Sequence, residues 1–421
     1  RVTGAIILAL AGILNMGVFL NIGSKFIVGI TGLNPDAMAV PIVMTLLLVI
    51  VLFYTVLGGM ISVIITDYIQ FVVLSFGMIA TTLFAINRLG METIISTVEK
   101  QMASGFNPVS ANSDFGISYV TFTIVMALMT CAVWPTMVAR ALVMESETAV
   151  KKQYTWSSIS MTMRMVIPAF WGICAFAFMH QVANKDVGDY FLRTVKPAEQ
   201  VAEDGEVKGE SSDVQRVTSS EPEYYSHNKH PNAAFAMPVF LGRLLPMGLI
   251  GVITAAMIAA FMSTHDSYLL CWSSVIVQDV IAPLRKESIS VKGRITLTRI
   301  FVVVIGVFVW AWGLFYEGDD RIWDYLAVTG SVYFTGAAVI LAGGLYWKRA
   351  STVGAMAGLL MGATAILGME DIRVLINEAL NTSLIAPQVS LISISLSITT
   401  FVVLSLLFPD IPTVDEEAEI A

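Results

Sequence analysis

The stretch AAMIAAFMSTHDSYLLCWSS, Ala255–Ser274, is apolar enough to cross a membrane but carries polar side chains at its centre. A bilayer core penalises such groups, so their presence calls for a function. At ~100° per residue, one helix face carries a small residue and then oxygen donors: Ala260, Ser263, Thr264 and Ser267. Asp266 lies about 60° from Ser263 on the same helix. Oxygen ligands with little net charge suit a hard cation held without its water, so we predict that this face binds Na⁺.

The composition indicates the broad class. The chain of 421 residues is 56% hydrophobic and 13% charged, with a mean hydropathy of +0.76, whereas soluble domains are about 25% charged. Apolar runs of ~20 residues recur, which favours a polytopic helical membrane protein over a barrel of ~10-residue strands. The net charge of −8 argues against a nucleic-acid partner. The three cysteines lie within apolar runs and indicate neither a disulfide framework nor a metal site.

Hydropathy predicts ten transmembrane helices within a single transporter domain that covers residues 1–421. The sixth is too long for one straight crossing, so we expect it to bend or to continue beyond the membrane. The predicted spans are 4–29, 38–58, 60–87, 117–138, 157–182, 247–282, 297–316, 323–347, 352–369 and 388–408.

The positive-inside rule gives an orientation. Lys and Arg concentrate in the loops after the fourth, sixth and eighth spans, which we place on the cytoplasmic side together with both chain ends. Residues 183–231 then form a flexible extracellular loop, and residues 232–246 form an outer re-entrant or interfacial helix. Residues 409–421 form a cytoplasmic tail. We expect a multi-pass protein of the plasma (inner) membrane.

The third span also has a polar centre. In the stretch YTVLGGMISVIITDYIQ, residues 54–70, Gly58 and Gly59 predict a tight turn between two helices, and Asp67 and Gln70 follow. Asp67 either lines an ion path or is an acid near the cytoplasmic face whose side chain reaches the headgroups. We favour the ion path.

Four stretches together resemble the sodium:solute symporter family. Besides residues 54–70, they are RALVMESETAVKKQ (140–153), the run LLPMGLIG to SSVIVQD (244–279), and GLYWKRASTVGAMAGLLMG (344–362). The resemblance implies two inverted five-helix repeats. Family members carry further helices before the point at which this chain begins, with Arg1, so the chain is expected to be N-terminally truncated. The broken first core helix would then lie upstream.

The resemblance also implies residue roles. Ser263 and Thr264 match the hydroxyl pair of the family's shared sodium site, and Ala260 matches a carbonyl donor one turn earlier. Asp67 matches the carboxylate of the neighbouring helix, which in some members forms a second sodium site with residues that match Ser263, Asp266 and Ser267. Helix packing by a small polar residue is the alternative for Ser267.

The solute site is expected along MTCAVWPTMVAR, residues 129–140. Pro135 removes a backbone hydrogen bond, Trp134 offers a flat surface, and Thr136 follows them. Arg140 either anchors this helix end at the membrane interface or pairs with an acid of an inner gate. Ala327 stands where sugar carriers have a glutamine, which disfavours a sugar.

We therefore expect a sodium-coupled secondary active symporter that imports a small organic solute by alternating access. An organic acid or an amino acid is favoured over a sugar. The expected partners are this solute and the lipid bilayer, with no obligate protein partner evident and no cofactor besides Na⁺ as the coupling ion. The alternative is a transporter-fold sensor that binds the solute without transporting it. No arrangement of residues indicates an enzyme.

Overall fold

The computed structural model describes residues 2–33, 38–102, 105–110, 116–181, 233–285, 288–315 and 322–410, without the side chains of 59–62, 323 and 324. The predicted extracellular loop 183–231 lies outside these ranges, as does the predicted tail from residue 411 onward.

The described part of the chain is almost entirely helical. Its helices are α1 (Val2–Thr31), α2 (Ala39–Leu89), α3 (Met91–Gln101), α4 (Gly116–Val133), α5 (Pro135–Leu142), α6 (Glu147–Met179), α7 (Ala236–Leu244), α8 (Met247–Val275), α9 (Val291–Phe315), α10 (Ile322–Tyr346), α11 (Thr352–Gly362), α12 (Glu370–Leu380) and α13 (Ala386–Leu407). This is the all-α polytopic architecture that the composition predicts.

The predicted spans agree with the helices. Within the described residues, nine helices are long and apolar enough to cross a membrane. A tenth predicted span, 352–369, falls on α11 and its 3₁₀ extension to Gly368, which meets α12 at a bend of 87°. The sixth span changes character at its end, because a π-helical segment, Ile276–Ile281, follows α8 and leads to Leu284.

Helix α2 is assigned as continuous, so the predicted turn at Gly58-Gly59 is not a break in the helix. Both halves of α2 nevertheless contact α8. A Cβ on Gly77 would contact Ala256, and Asp67 lies beside Ser263, so this half is antiparallel to α8. If α2 were straight, Tyr54 would lie about 20 Å from Asp67 along the helix axis. Its hydroxyl nevertheless contacts the carbonyl of Met262, the residue next to Ser263. These two contacts require α2 to bend between Tyr54 and Asp67, the stretch in which the sequence predicts a turn.

Helix α8 lies at the centre of the bundle and packs against α1, α2 and α9. Its Trp272 is 1% exposed and lies over Gly12 of α1, where a Cβ would collide with the indole. A second close approach joins α10 to α11, because a Cβ on Gly362 would lie 2.6 Å from the backbone nitrogen of Gly336. Small residues let the helices approach one another at both places, and the first approach fixes α8 against α1.

Candidate functional site

The polar face of α8 borders a small cavity inside the bundle. The cavity has a volume of about 300 Å³, and α8 contributes Ser263, Thr264, Ser267 and Tyr268 to its wall. The Thr264 hydroxyl donates a hydrogen bond of 2.9 Å to the Ala260 carbonyl. The two adjacent hydroxyls and the carbonyl one turn earlier therefore lie on one face, as the helical periodicity predicts.

Helix α2 brings Asp67 to the same cavity. Its Oδ2 atom accepts a hydrogen bond of 2.6 Å from Nη2 of Arg140, which also donates to the Ser267 hydroxyl at 2.7 Å. The Oδ1 atom of Asp67 is buried and accepts no hydrogen bond from the residues that the structure describes. A buried carboxylate oxygen without a partner is costly, so this atom is positioned to accept a cation or a proton donor.

Arg140 is held by contacts with two other helices and with its own. Besides Asp67 and Ser267, it reaches the Thr136 carbonyl one turn earlier on α5, at 3.3 Å. Of the two roles considered for this residue, the structure therefore shows pairing with an acid. The side chains of Arg140 and Asp67 remain 31% and 23% exposed, so water screens their attraction in part.

Asp266 lies behind the cavity wall. Its side chain is completely buried, and its two oxygens accept hydrogen bonds from the Tyr54 hydroxyl at 2.6 Å and from the Ser267 hydroxyl at 3.1 Å. Tyr54 also donates toward the Met262 carbonyl at 3.2 Å. Asp266 is thus within one residue of the cavity, with its carboxylate directed to α2.

The predicted broken helix provides another wall. Helix α4 ends at Val133 and α5 begins at Pro135, with Trp134 between them in an extended conformation. Pro135 has no N–H to donate to the Cys131 carbonyl, which explains why the helix breaks here. Trp134 and Thr136 line the small cavity, and the Trp134 ring stands edge-on to Tyr268 at a centroid distance of 5.5 Å.

A second cavity of about 880 Å³ adjoins the first and shares Thr136, Arg140 and Ser267 with it. Its wall includes the beginnings of α1 and α11, the end of α5, and Asp279 beyond α8. These are the helix ends that the positive-inside rule places at the cytoplasmic face. Arg140 therefore stands between the small polar cavity and a larger, mainly apolar space on the predicted cytoplasmic side.

The structure brings together most of the sequence-predicted site residues. Around the small cavity it gathers Asp67, Trp134, Thr136, Ser263, Thr264 and Ser267. Pro135 lines only the larger cavity. Ala327 is not among the described residues that line either cavity. Ala327 instead gives its carbonyl to the Ser331 hydroxyl within α10.

Sequence reasoning missed two residues that line the small cavity, Arg164 and Tyr268, and one that supports Asp266 from behind, Tyr54. Arg164 of α6 lines the small cavity, and its guanidinium lies 5.0 Å from the centroid of the Phe71 ring. A lone arginine in the apolar run 157–182 was the available signal, because a charge at that depth is rare without a function. Tyr54 gave no such signal, since its partner Asp266 is 212 residues away.

Comparisons with known proteins agree with this architecture. The family model described as "Sodium:solute symporter family" matches residues 2–203 and 215–362. A sodium/proline symporter of Haemophilus influenzae is 25% identical over 329 residues, which are 76% of this chain and 55% of that protein. A sodium/sialic acid symporter of Proteus mirabilis is 27% identical over 143 residues, covering 32% of this chain and 28% of that protein.

A solved structure of a Na⁺-coupled sialic acid symporter, in a substrate-bound outward-open state, has the same fold. It matches with a TM-score of 0.65 at 19% identity and covers 97% of this chain and 75% of that chain. The chain spans about half the length of the Haemophilus relative. The family match extends over both the helix pair around Asp67 and the helix that carries Ser263 and Thr264. The chain therefore belongs to the sodium:solute symporter family.

Proposed function

We propose that this protein works as a sodium-coupled symporter that imports a small organic solute by alternating access. The unpartnered Oδ1 atom of Asp67, beside the Ser263 and Thr264 hydroxyls in one small cavity, is the observation that carries the proposal. A carboxylate oxygen and neutral hydroxyls are hard donors of the kind that alkali cations accept when they shed water. The names of the relatives, which are symporters and cotransporters, support transport over sensing.

In this proposal, Asp67, Ser263 and Thr264 are the first ligands of Na⁺, with the Ala260 carbonyl behind Thr264 and Ser267 at the edge of the site. Asp266 adds a second negative charge without facing the cavity, because the Tyr54 and Ser267 hydroxyls occupy its oxygens. Two carboxylates near one cation lower its energy even where only one of them touches it.

Alternating access requires a path that closes. The larger cavity on the predicted cytoplasmic side supplies an inner exit route, and Arg140 separates it from the site. We infer that Na⁺ binding to Asp67 weakens the attraction between Asp67 and Arg140 and so favours one conformation over the other. Coupling follows if Na⁺ and the solute both prefer the same conformation.

The solute is proposed to bind against Trp134 and Thr136 at the helix break. A cavity of about 300 Å³ accommodates a small organic molecule. The relatives named above carry proline and sialic acid according to their names, and both molecules have a carboxylate. Other relatives are named for glucose, mannose and myo-inositol, so the names alone do not select the solute. We favour an organic acid or amino acid over a sugar because Arg140 and Arg164 line the cavity.

The test is uptake in proteoliposomes that contain the gene product carrying this chain, with and without an inward Na⁺ gradient at constant ionic strength. Solute uptake should follow the Na⁺ gradient and fall strongly in Asp67→Asn. Uptake that is indifferent to Na⁺ would contradict the proposal.

A further inference from the structure

Arg164 is a second cation within the membrane-spanning part of the site. It lies well inside α6, which runs from Glu147 to Met179 and qualifies as a membrane span. Its guanidinium lines the small cavity, over the face of Phe71. Because the cost of placing a charge at this depth is large, an arginine here is expected to have an anionic partner.

Among the described residues, Arg164 has an attractive charge in its neighbourhood but no direct partner. Arg164 forms no hydrogen bond or ion pair with them, and Asp67, whose charge attracts it, binds Arg140 through Oδ2 at 2.6 Å and so offsets the charge of Arg164 only in part. The contact with Phe71 contributes about 0.5–1 kcal/mol at exposed sites and does not neutralise the charge.

The charges around the cavity balance only if an anion enters together with the cation. The cavity wall holds Arg140, Arg164 and Asp67, and Asp266 lies directly behind it. Two guanidinium groups and two ionised carboxylates sum to zero, so Na⁺ alone would leave the site with one excess positive charge. An anionic solute next to Arg164 removes this excess, and each ligand then improves the binding of the other.

We propose that Arg164 binds the carboxylate of the solute and that the solute is a small organic acid without a cationic group. This inference rests on the proposed function, since it names the substrate class of the same site. A guanidinium presents two parallel N–H donors that match a carboxylate. Trp134 and Tyr268, which line the same cavity, supply an apolar surface for the rest of the molecule.

The experiment compares acids with their amides. Thermal stability of the purified protein in lipid nanodiscs is measured with acetate, lactate, propionate and benzoate, added as choline salts, and with acetamide, lactamide, propionamide and benzamide. Each pair has nearly the same shape and differs in charge. In the presence of Na⁺, at least one acid should stabilise the protein at a concentration about ten- to a hundred-fold below that of its amide.

Three variants test the role of the guanidinium. Arg164→Gln should abolish the difference between acid and amide, and Arg164→Lys should retain part of it. Arg88→Gln, which removes an exposed arginine from the last turn of α2, should behave as wild type. Equal stabilisation by acids and amides, no stabilisation by any acid, or an unchanged acid preference in Arg164→Gln would overturn the proposal. Equal Arg164-dependent stabilisation by chloride or phosphate would also overturn it, because the site would then be a general anion site.

The same thermal-stability measurements distinguish this proposal from the proposed function. A Na⁺ titration without any acid should stabilise both wild type and Arg164→Gln, since Asp67, Ser263 and Thr264 remain intact. Stabilisation by Na⁺ with no preference for acids would refute the carboxylate site and leave sodium binding supported. A preference for acids that is equally strong in K⁺ and in Na⁺ would support the carboxylate site and count against sodium coupling.

Discussion

Arg140→Gln gives a quantitative test of the idea that Arg140 competes with Na⁺ for Asp67. The guanidinium nitrogen lies 2.6 Å from Oδ2 of Asp67, and a cation bound to Oδ1 would lie about 5 Å from the guanidinium. At this separation, the repulsion between the two charges is about 1–3 kcal/mol for effective dielectric constants between those of bulk water and a protein surface. Removing the positive charge should therefore tighten Na⁺ binding roughly 5- to 150-fold.

The same substitution should destabilise the protein when Na⁺ is absent. Asp67 would lose its ion-pair partner, and the partial exposure of both side chains limits the cost to about 1–2 kcal/mol. The assay is thermal unfolding across a Na⁺ titration, with choline chloride keeping the ionic strength constant. Arg140→Gln should have a lower Tm than wild type at zero Na⁺ and a half-maximal shift at a lower Na⁺ concentration. Arg140→Lys retains the charge and should titrate like wild type. Unchanged or weaker Na⁺ binding in Arg140→Gln would refute the competition.

Three further predictions concern the surroundings of the site. Tyr54→Phe leaves Oδ2 of the buried Asp266 without its donor, so it should lower the free energy of unfolding by about 1–3 kcal/mol in denaturant titrations. Because the oxygens of Asp266 are already occupied by hydrogen bonds, Asp266→Asn should weaken Na⁺ binding less than Asp67→Asn does. Gly362→Ala places a Cβ 2.6 Å from the backbone of Gly336 and should lower stability by about 1–3 kcal/mol, whereas Gly248→Ala, with no atom within 4 Å, should not. Cys271 lines the larger cavity, whereas Cys174 is buried. In a variant with Cys131 replaced by Ser, a water-soluble maleimide should therefore label Cys271 and not Cys174, as measured by mass spectrometry. Absence of label on Cys271 would mean that water does not reach this cavity.

The spans were predictable because each depends on local composition. A run of ~20 apolar residues has few alternatives in a bilayer, and the helix bounds agree with the predicted spans to within a few residues for most of them. The start of the fifth span differs most. The sequence predicts residue 157, but α6 begins at Glu147, since Ser146 caps the helix by accepting a hydrogen bond from the Ala149 amide. The added turns are polar and therefore carry no hydropathy signal.

The centre of the site was predictable for a related reason. Ser263, Thr264 and Asp67 are polar groups in apolar helices, and the cost of burying them marks them individually. Their meeting in one cavity depends on a bend of α2 near the Gly58-Gly59 pair, which the contacts of Tyr54 and Asp67 with α8 support.

The remaining members of the site depend on contacts that no local pattern encodes. Helical periodicity places Asp266 near Ser263, but only packing shows that its carboxylate is directed to Tyr54 on another helix. From the sequence alone, the guanidinium of Arg140 could equally lie at the membrane interface. Its ion pair with Asp67 places it inside the bundle instead. Arg164 has the same ambiguity, because a long side chain in an apolar helix often reaches a polar surface without serving a site.

The central claim is that Na⁺ binds between the hydroxyl pair of α8 and Asp67 of α2. The most direct test is equilibrium binding of ²²Na⁺ to the purified gene product that carries this chain, for wild type, Thr264→Ala and Ser273→Ala. Ser273 is a matched control, because its hydroxyl also donates to the carbonyl four residues earlier on α8, that of Leu269, but it does not line the small cavity. Saturable binding should be lost or weakened at least ten-fold in Thr264→Ala and preserved in Ser273→Ala. Equal ²²Na⁺ binding by wild type and Thr264→Ala would contradict the assignment.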